Sequence, residues 1–179
     1  IPKFEYVSTK ASNGLTGDVL GVVVDQTEPI LGAKMVSYQG LILDRYFAKE
    51  RSPLYGHGQD FIDACRKYGA PTDCTLLPAI AKVETDLCKA EKGISARQHN
   101  CWGFGGGPAT RIIYPTFEKA IDEITRKLMS GYGYRFFENP KIGERAYCGA
   151  HCAAWGQKVQ SERIRINQYF VSQGHPKLF

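Results

Sequence analysis

The chain has no apolar run approaching the ~20 residues that a membrane-crossing helix requires. Its longest, residues 19–24, is broken by Gly21 and reads as a strand. Low-complexity tracts and internal repeats are also missing, which excludes a solenoid, a repeat array and a disordered linker. Lys and Arg are scattered along the chain, and no zinc-finger, RRM-type or helix-turn-helix signature appears, so nucleic acid is not an expected partner. No Lys-Ser or Lys-Thr pair closes the glycine-rich stretch at 103–107, so it is not a phosphate loop. The sequence shows no signal peptide and starts at Ile1 rather than Met. The expectation is a processed chain whose targeting segment is missing, so this absence says little about compartment.

What is present fits one globular domain with an extension: 179 residues, 43% hydrophobic and 23% charged. A net charge of +5 and a pI near 8.9 suit association with an anionic polymer such as a wall teichoic acid, or simply a solvated surface. There are six cysteines, each close in sequence to another. An even number in this arrangement points to local disulfides and an oxidising compartment, extracellular, periplasmic or at the cell surface. Pairing neighbours gives Cys65–Cys74, Cys88–Cys101 and Cys148–Cys152, one of about 15 connectivities. The rival is zinc, since His151 adjoins Cys152 and His99 lies near Cys101, but the close-spaced thiol pairs of a zinc ribbon are absent. No metal or cofactor is expected, and the chain is expected to act as a monomer.

Residues 1–38 are β-rich and turn-rich and carry no visible chemistry, consistent with an extension or linker. Residues 39–179 read as the main domain. Helices are predicted over Leu41–Lys49, Asp60–Tyr68, Asp73–Lys89 with Thr72 or Asp73 as N-cap, Thr116–Gly131 and Cys152–Phe170. Asn100–Pro108 contains four glycines and reads as loop, and Arg111–Tyr114 as a short strand.

The third of these helices carries the main signal. Leu76, Leu77, Ile80, Ala81, Val83 and Leu87 make an apolar stripe, while Lys82, Asp86 and Lys89 face away. Glu84 falls four residues after Ile80 and so projects beside the stripe. A carboxyl group placed there is partly desolvated, the setting in which a general acid keeps its proton near neutral pH. The plainer alternative is a Glu that edges the stripe and reaches solvent. Next comes the loop His99-Asn100-Cys101-Trp102-Gly103-Phe104-Gly105-Gly106-Gly107. Glycines permit close backbone approach, and aromatic faces suit sugar rings. A buried Trp beside a hinge is the plainer alternative here.

The run Leu76-Leu77-Pro78-Ala79-Ile80-Ala81-Lys82-Val83-Glu84-Thr85, then Asn100-Cys101-Trp102-Gly103-Phe104-Gly105, then Tyr114-Pro115-Thr116-Phe117-Glu118-Lys119-Ala120-Ile121, resembles the glucosaminidase-type branch of the lysozyme-like superfamily. That group includes bacterial endo-β-N-acetylglucosaminidases and is similar to lytic transglycosylases. The resemblance spans about residues 60–169. It implies an α+β, mainly α fold: a lysozyme-like helical domain with a small β lobe. It implies cleavage of the peptidoglycan glycan strand, with Glu84 as general acid and Tyr147, followed by Trp155 and Val159, as the catalytic Tyr and its helix. Asn100, Trp102, Gly103, Phe104 and Tyr114 would line the sugar cleft. Thr85 stands where the family usually has Ser. A Cys88–Cys101 bridge would tie the Glu84 helix to the Trp102 loop.

A retaining glycosidase needs two carboxyl groups about 5 Å apart and an inverting one about 6.5–9.5 Å. The candidates are Asp86, which points away on the helix, Glu91 in a charged stretch, and Glu118, which also suits the first turn of its helix for structural reasons. A single-Glu mechanism removes the requirement, by attack of the substrate's own acetamido oxygen, positioned by Tyr147 or Asn100, or by transglycosylation to an anhydro product. The alternative function is a non-catalytic module that keeps the cleft to bind peptidoglycan or anchor a surface assembly.

Overall fold

The computed structural model describes residues 36–71, 74–107, 109–149 and 152–175. The chain divides into two units, Ile1–Lys34 and Met35–Phe179. The first, and with it the β-rich reading up to residue 35, lies outside the described residues; at the end of that reading Tyr38 is already helical.

The second unit is mainly helical. Its elements are α1 (Tyr38–Lys49), α2 (Gly58–Lys67), α3 (Leu76–Thr85), a 3-10 turn at Glu91–Gly93, α4 (Ile94–Arg97), α5 (Phe117–Tyr132), α6 (Tyr134–Glu138), a 3-10 turn at Pro140–Gly143, α7 (Glu144–Cys148) and α8 (Trp155–Ser172). α1 packs on α2, α2 on α5, and α3 on α8. The helices are drawn together by a core that includes Ile42, Phe47, Phe61, Ile62, Ile80, Ile121, Ile124, Leu128, Phe136, Val159, Ile166 and Phe170. None of the described helices is long and apolar enough to cross a membrane.

Capping explains several boundaries. Ser37 Oγ accepts from Gly40 N at 3.1 Å and starts α1 three residues before the expected Leu41. Asp44 Oδ1 accepts from Gly56 N and Gly58 N at 2.9 and 2.7 Å, so α2 starts at Gly58 rather than Asp60. Thr116 caps α5 as predicted, accepting from Lys119 N at 3.2 Å. Pro78 is the third residue of α3, where its missing N–H costs no helical hydrogen bond.

Two expectations are corrected. α3 ends at Thr85, not Lys89, because Asp86, Leu87 and Cys88 turn left-handed, with φ of 49°, 57° and 69°. Three successive non-glycine residues in that region cost about 1–2 kcal/mol each, so the surroundings must enforce the turn. Leu87 is fully buried, Ser52 Oγ donates to Leu87 O at 2.9 Å, and Thr85 Oγ1 accepts from Cys88 N at 3.0 Å and donates to Cys101 O at 2.8 Å. The second correction is the strand at Arg111–Tyr114. No strand occurs among the described residues, so the small β lobe does not appear there. The segment runs against residues 98–104 but makes only scattered backbone bonds, Ile112 N to Phe104 O and Tyr114 N to Gln98 O, both 3.0 Å. The Asn100 side chain takes Ile112 O, where a ladder would place a backbone N–H.

All three disulfides pair neighbours as the spacing suggests, Cys65–Cys74, Cys88–Cys101 and Cys148–Cys152. With all six sulfurs so bonded, no thiolate is left to bind zinc.

Candidate active site

Because α3 packs on α8, the last turn of α3 meets the first turn of α8. Glu84, half-buried, stands in that last turn, and Trp155 opens α8. The Trp155 indole Nε1 donates to Glu84 Oε1 at 2.6 Å. The indole is itself held by rings: Tyr147 stacks on it at 4.6 Å between centroids and 22° between planes, and Phe136 lies nearly parallel to both at 6.4 Å. Phe104 meets the Tyr147 ring edge-on at 6.0 Å. An aromatic stack of this kind fixes ring orientation as well as burying area, so the direction of the indole N–H is set before anything binds.

The Tyr147 hydroxyl donates to Trp102 O at 2.8 Å. Burial pushes this hydroxyl well above the ordinary 10.0; the Glu84 carboxylate adds to the push and the Arg111 guanidinium opposes it. Tyr147 is therefore a neutral hydroxyl throughout the physiological range, a donor and not a base.

Gly103 forms the wall beside the other carboxyl oxygen. Its φ is +66°, and a Cβ built on it would lie 3.3 Å from Glu84 Oε2 and 3.9 Å from Arg111 Nη2. Any side chain here would strain the backbone and press on the carboxyl group. Arg111 is buried, and its Nη1 donates to Ser95 Oγ at 2.9 Å, so a fixed positive charge also borders this point.

The glycine-rich loop reaches the site through its backbone more than through its side chains. Asn100 is fully buried: Nδ2 donates to Phe104 O at 2.9 Å and Ile112 O at 2.8 Å, and Oδ1 accepts from Phe104 N at 3.1 Å. Its amide is spent on folding the loop, not on orienting a substrate. The Trp102 indole is 1% exposed and donates to Leu77 O at 2.9 Å. This corrects the expectation of a sugar-facing Trp102: the ring is core, and only its carbonyl touches the site. Tyr114 is likewise 3% exposed, its carbonyl hydrogen-bonded to the His99 ring at 2.8 Å, so its ring lines no open groove. Gly103 and Phe104 are half-buried at the surface beside Glu84 and Tyr147, where cleft residues are expected. Glu118 is exposed in the first turn of α5, a place that the helix dipole explains unaided.

The structure thus brings together Glu84, Tyr147, Gly103 and Phe104, and retires the side chains of Asn100, Trp102 and Tyr114 into the framework. Two participants were not legible beforehand. Trp155 stood in the sequence only as a helix residue following Tyr147, and no spacing announces a bond across 71 positions. Arg111 reads in sequence as one more scattered cation. No protein-family model matches the chain, and no curated protein matches it.

Proposed function

We propose that the chain cleaves β-1,4 bonds between the amino sugars of the peptidoglycan glycan strand, with Glu84 as general acid and a lysozyme-like arrangement of its helices around the site. The observation that carries this reading is the 2.6 Å hydrogen bond from the Trp155 indole to Glu84 Oε1, on a carboxyl group at the edge of the core. One oxygen is held by a ring that is itself stacked, and the other lies beside Gly103, 3.3 Å from where a Cβ on that residue would sit. Geometry of that kind suits a proton donor, whose effectiveness depends on alignment with the leaving oxygen.

In this reading Glu84 protonates the glycosidic oxygen as the C–O bond breaks through an oxocarbenium-like state. Either the substrate's acetamido oxygen attacks the anomeric carbon, or Glu84, now a base, takes a proton from a sugar hydroxyl that closes an anhydro ring. Tyr147, neutral and engaged with Trp102 O, orients the indole rather than attacking. Neither route calls on Glu118. The Phe104 ring supplies an apolar face at the rim. Three disulfides suit a chain that works in an oxidising compartment, outside the cytoplasm.

Mass spectrometry of muropeptides after incubation with purified peptidoglycan tests the reading. New reducing N-acetylglucosamine, reducing N-acetylmuramic acid or anhydro ends support it, and each names the bond and route. Sedimentation with insoluble peptidoglycan without new ends would favour the binding module instead, and the absence of both would remove the glycan reading.

A further inference from the structure

The rings that hold Glu84 depend on a short junction. α7 has five residues, none of them fully buried, and no side-chain N-cap. A helix of that length has negligible stability alone. α8 likewise starts without a side-chain cap, behind Ala154 at φ +62°. Two links fasten α7 to the start of α8. Glu144 supplies the missing cap, its Oε1 and Oε2 accepting from Trp155 N at 3.2 Å and Gly156 N at 3.1 Å. The Cys148–Cys152 disulfide closes the other end. Cys148 directly follows Tyr147, and Cys152 lies three residues before Trp155.

The three disulfides differ in exposure. Cys88 and Cys101 are 0% exposed, and Cys65 and Cys74 are 4% and 8% exposed, whereas Cys148 and Cys152 are both half-buried. The accessible bridge also closes the shortest loop, with a sequence separation of 4 against 9 and 13, so chain entropy makes it the least stabilising of the three.

We propose that Cys148 and Cys152 are positioning residues, whose disulfide holds Tyr147 and Trp155 in their stack against Glu84, and that its selective reduction disarms the site while the rest of the domain stays folded. A dithiol such as dithiothreitol supplies the balance. One of its thiolates attacks a bridge sulfur and the second closes the reagent's own disulfide, while the two reagent protons end on the Cys148 and Cys152 sulfurs. The effect on catalysis rests on the Glu84 reading above; the effect on Trp155 does not.

The test titrates the full chain with dithiothreitol and follows free-thiol mapping, acrylamide quenching of tryptophan fluorescence, far-ultraviolet circular dichroism and peptidoglycan cleavage together. The Cys148–Cys152 bond is expected to open first, with helicity unchanged and quenching raised as Trp155 loosens. kcat is expected to fall about tenfold to a hundredfold well below the melting temperature and to return on reoxidation. A Cys148→Ser/Cys152→Ser double variant, which leaves the buried bridges intact, should show the same quenching and kcat without reductant. The proposal is overturned if this bridge opens last, or if its loss leaves both quenching and kcat unchanged. If cleavage is absent from the untreated protein, the glycan reading fails while the quenching result still decides the positioning claim.

Discussion

Trp155→Phe isolates the indole N–H from the rest of the ring system. Phenylalanine keeps an aromatic face for Tyr147, which stacks at 4.6 Å, but cannot donate to Glu84 Oε1 at 2.6 Å. A hydrogen bond to a neutral acceptor is worth about 0.5–1.5 kcal/mol and one to an ionised acceptor about 1.5–3 kcal/mol. At about 1.4 kcal/mol per factor of ten, the expected loss in kcat/KM is about tenfold, and up to a hundredfold. The loss should fall on kcat, because a carboxyl group released from the indole misaligns the proton and leaves substrate contacts in place. Trp155 is 4% exposed, so the smaller ring also costs about 1–3 kcal/mol of stability. Reducing-end release from purified peptidoglycan, measured well below the variant's melting temperature, separates the two effects. A variant that melts earlier yet keeps wild-type kcat would refute the orienting role, as would a loss confined to KM.

Gly103→Ala should cost about 1–2 kcal/mol for a left-handed alanine. It should also reduce cleavage at least about tenfold, because the new methyl lies 3.3 Å from Glu84 Oε2; unaltered kcat/KM would contradict the placement of that wall. Thr85→Val keeps the volume but strips partners from Cys88 N and Cys101 O, so urea unfolding should show a loss of about 2–3 kcal/mol, and a loss under about 0.5 kcal/mol would deny the clamp. Burial pushes Tyr46 and Tyr114 up to about 12, with nearby Glu50 and Glu123 adding to it respectively, and Tyr147 well above 10.0. In the unfolded chain these phenols ionise near 10. Above that pH the unfolded state binds fewer protons than the native one, so their stabilising contribution is complete below pH 10 and declines as pH rises toward the folded values. Phenolate absorbance from these three should therefore appear only as circular dichroism reports unfolding, and their titration near pH 10 in a folded chain would contradict it.

Periodicity and capping made most of the helical framework legible. The stripes of α5 and α8, the Thr116 cap and the neighbour pairing of cysteines all follow from local chemistry. The failures are tertiary. The hydrophobic pattern does not end α3 at Thr85, since Leu87 and Lys89 continue it; the turn exists because Ser52 and Cys101 hold Leu87 and Cys88 from outside the helix, while the Thr85 side chain bonds Cys88 N from its end. The two tryptophans show the same limit. Residue type marked Trp102 as a ring for sugar and left Trp155 a secondary feature, yet Trp102 points into the core toward Leu77 O while Trp155 bonds the Glu84 carboxyl group. Side-chain direction in a glycine-rich loop is set by left-handed turns such as Gly103 and by the Asn100 bonds, which composition does not reveal. Glu84 could be nominated because a carboxyl group beside an apolar stripe is visible in the sequence; its hydrogen-bond partner Trp155 lies 71 positions away.

The most direct measurement is peptidoglycan cleavage by Glu84→Gln, which keeps the shape of the side chain and its acceptor oxygen for the Trp155 indole but removes the acidic proton. Reducing-end release should fall by about 10²–10⁴-fold, with the melting temperature and the amount sedimenting with insoluble peptidoglycan unchanged. Cleavage by the glutamine form at the wild-type rate would show that the chemistry belongs to another group.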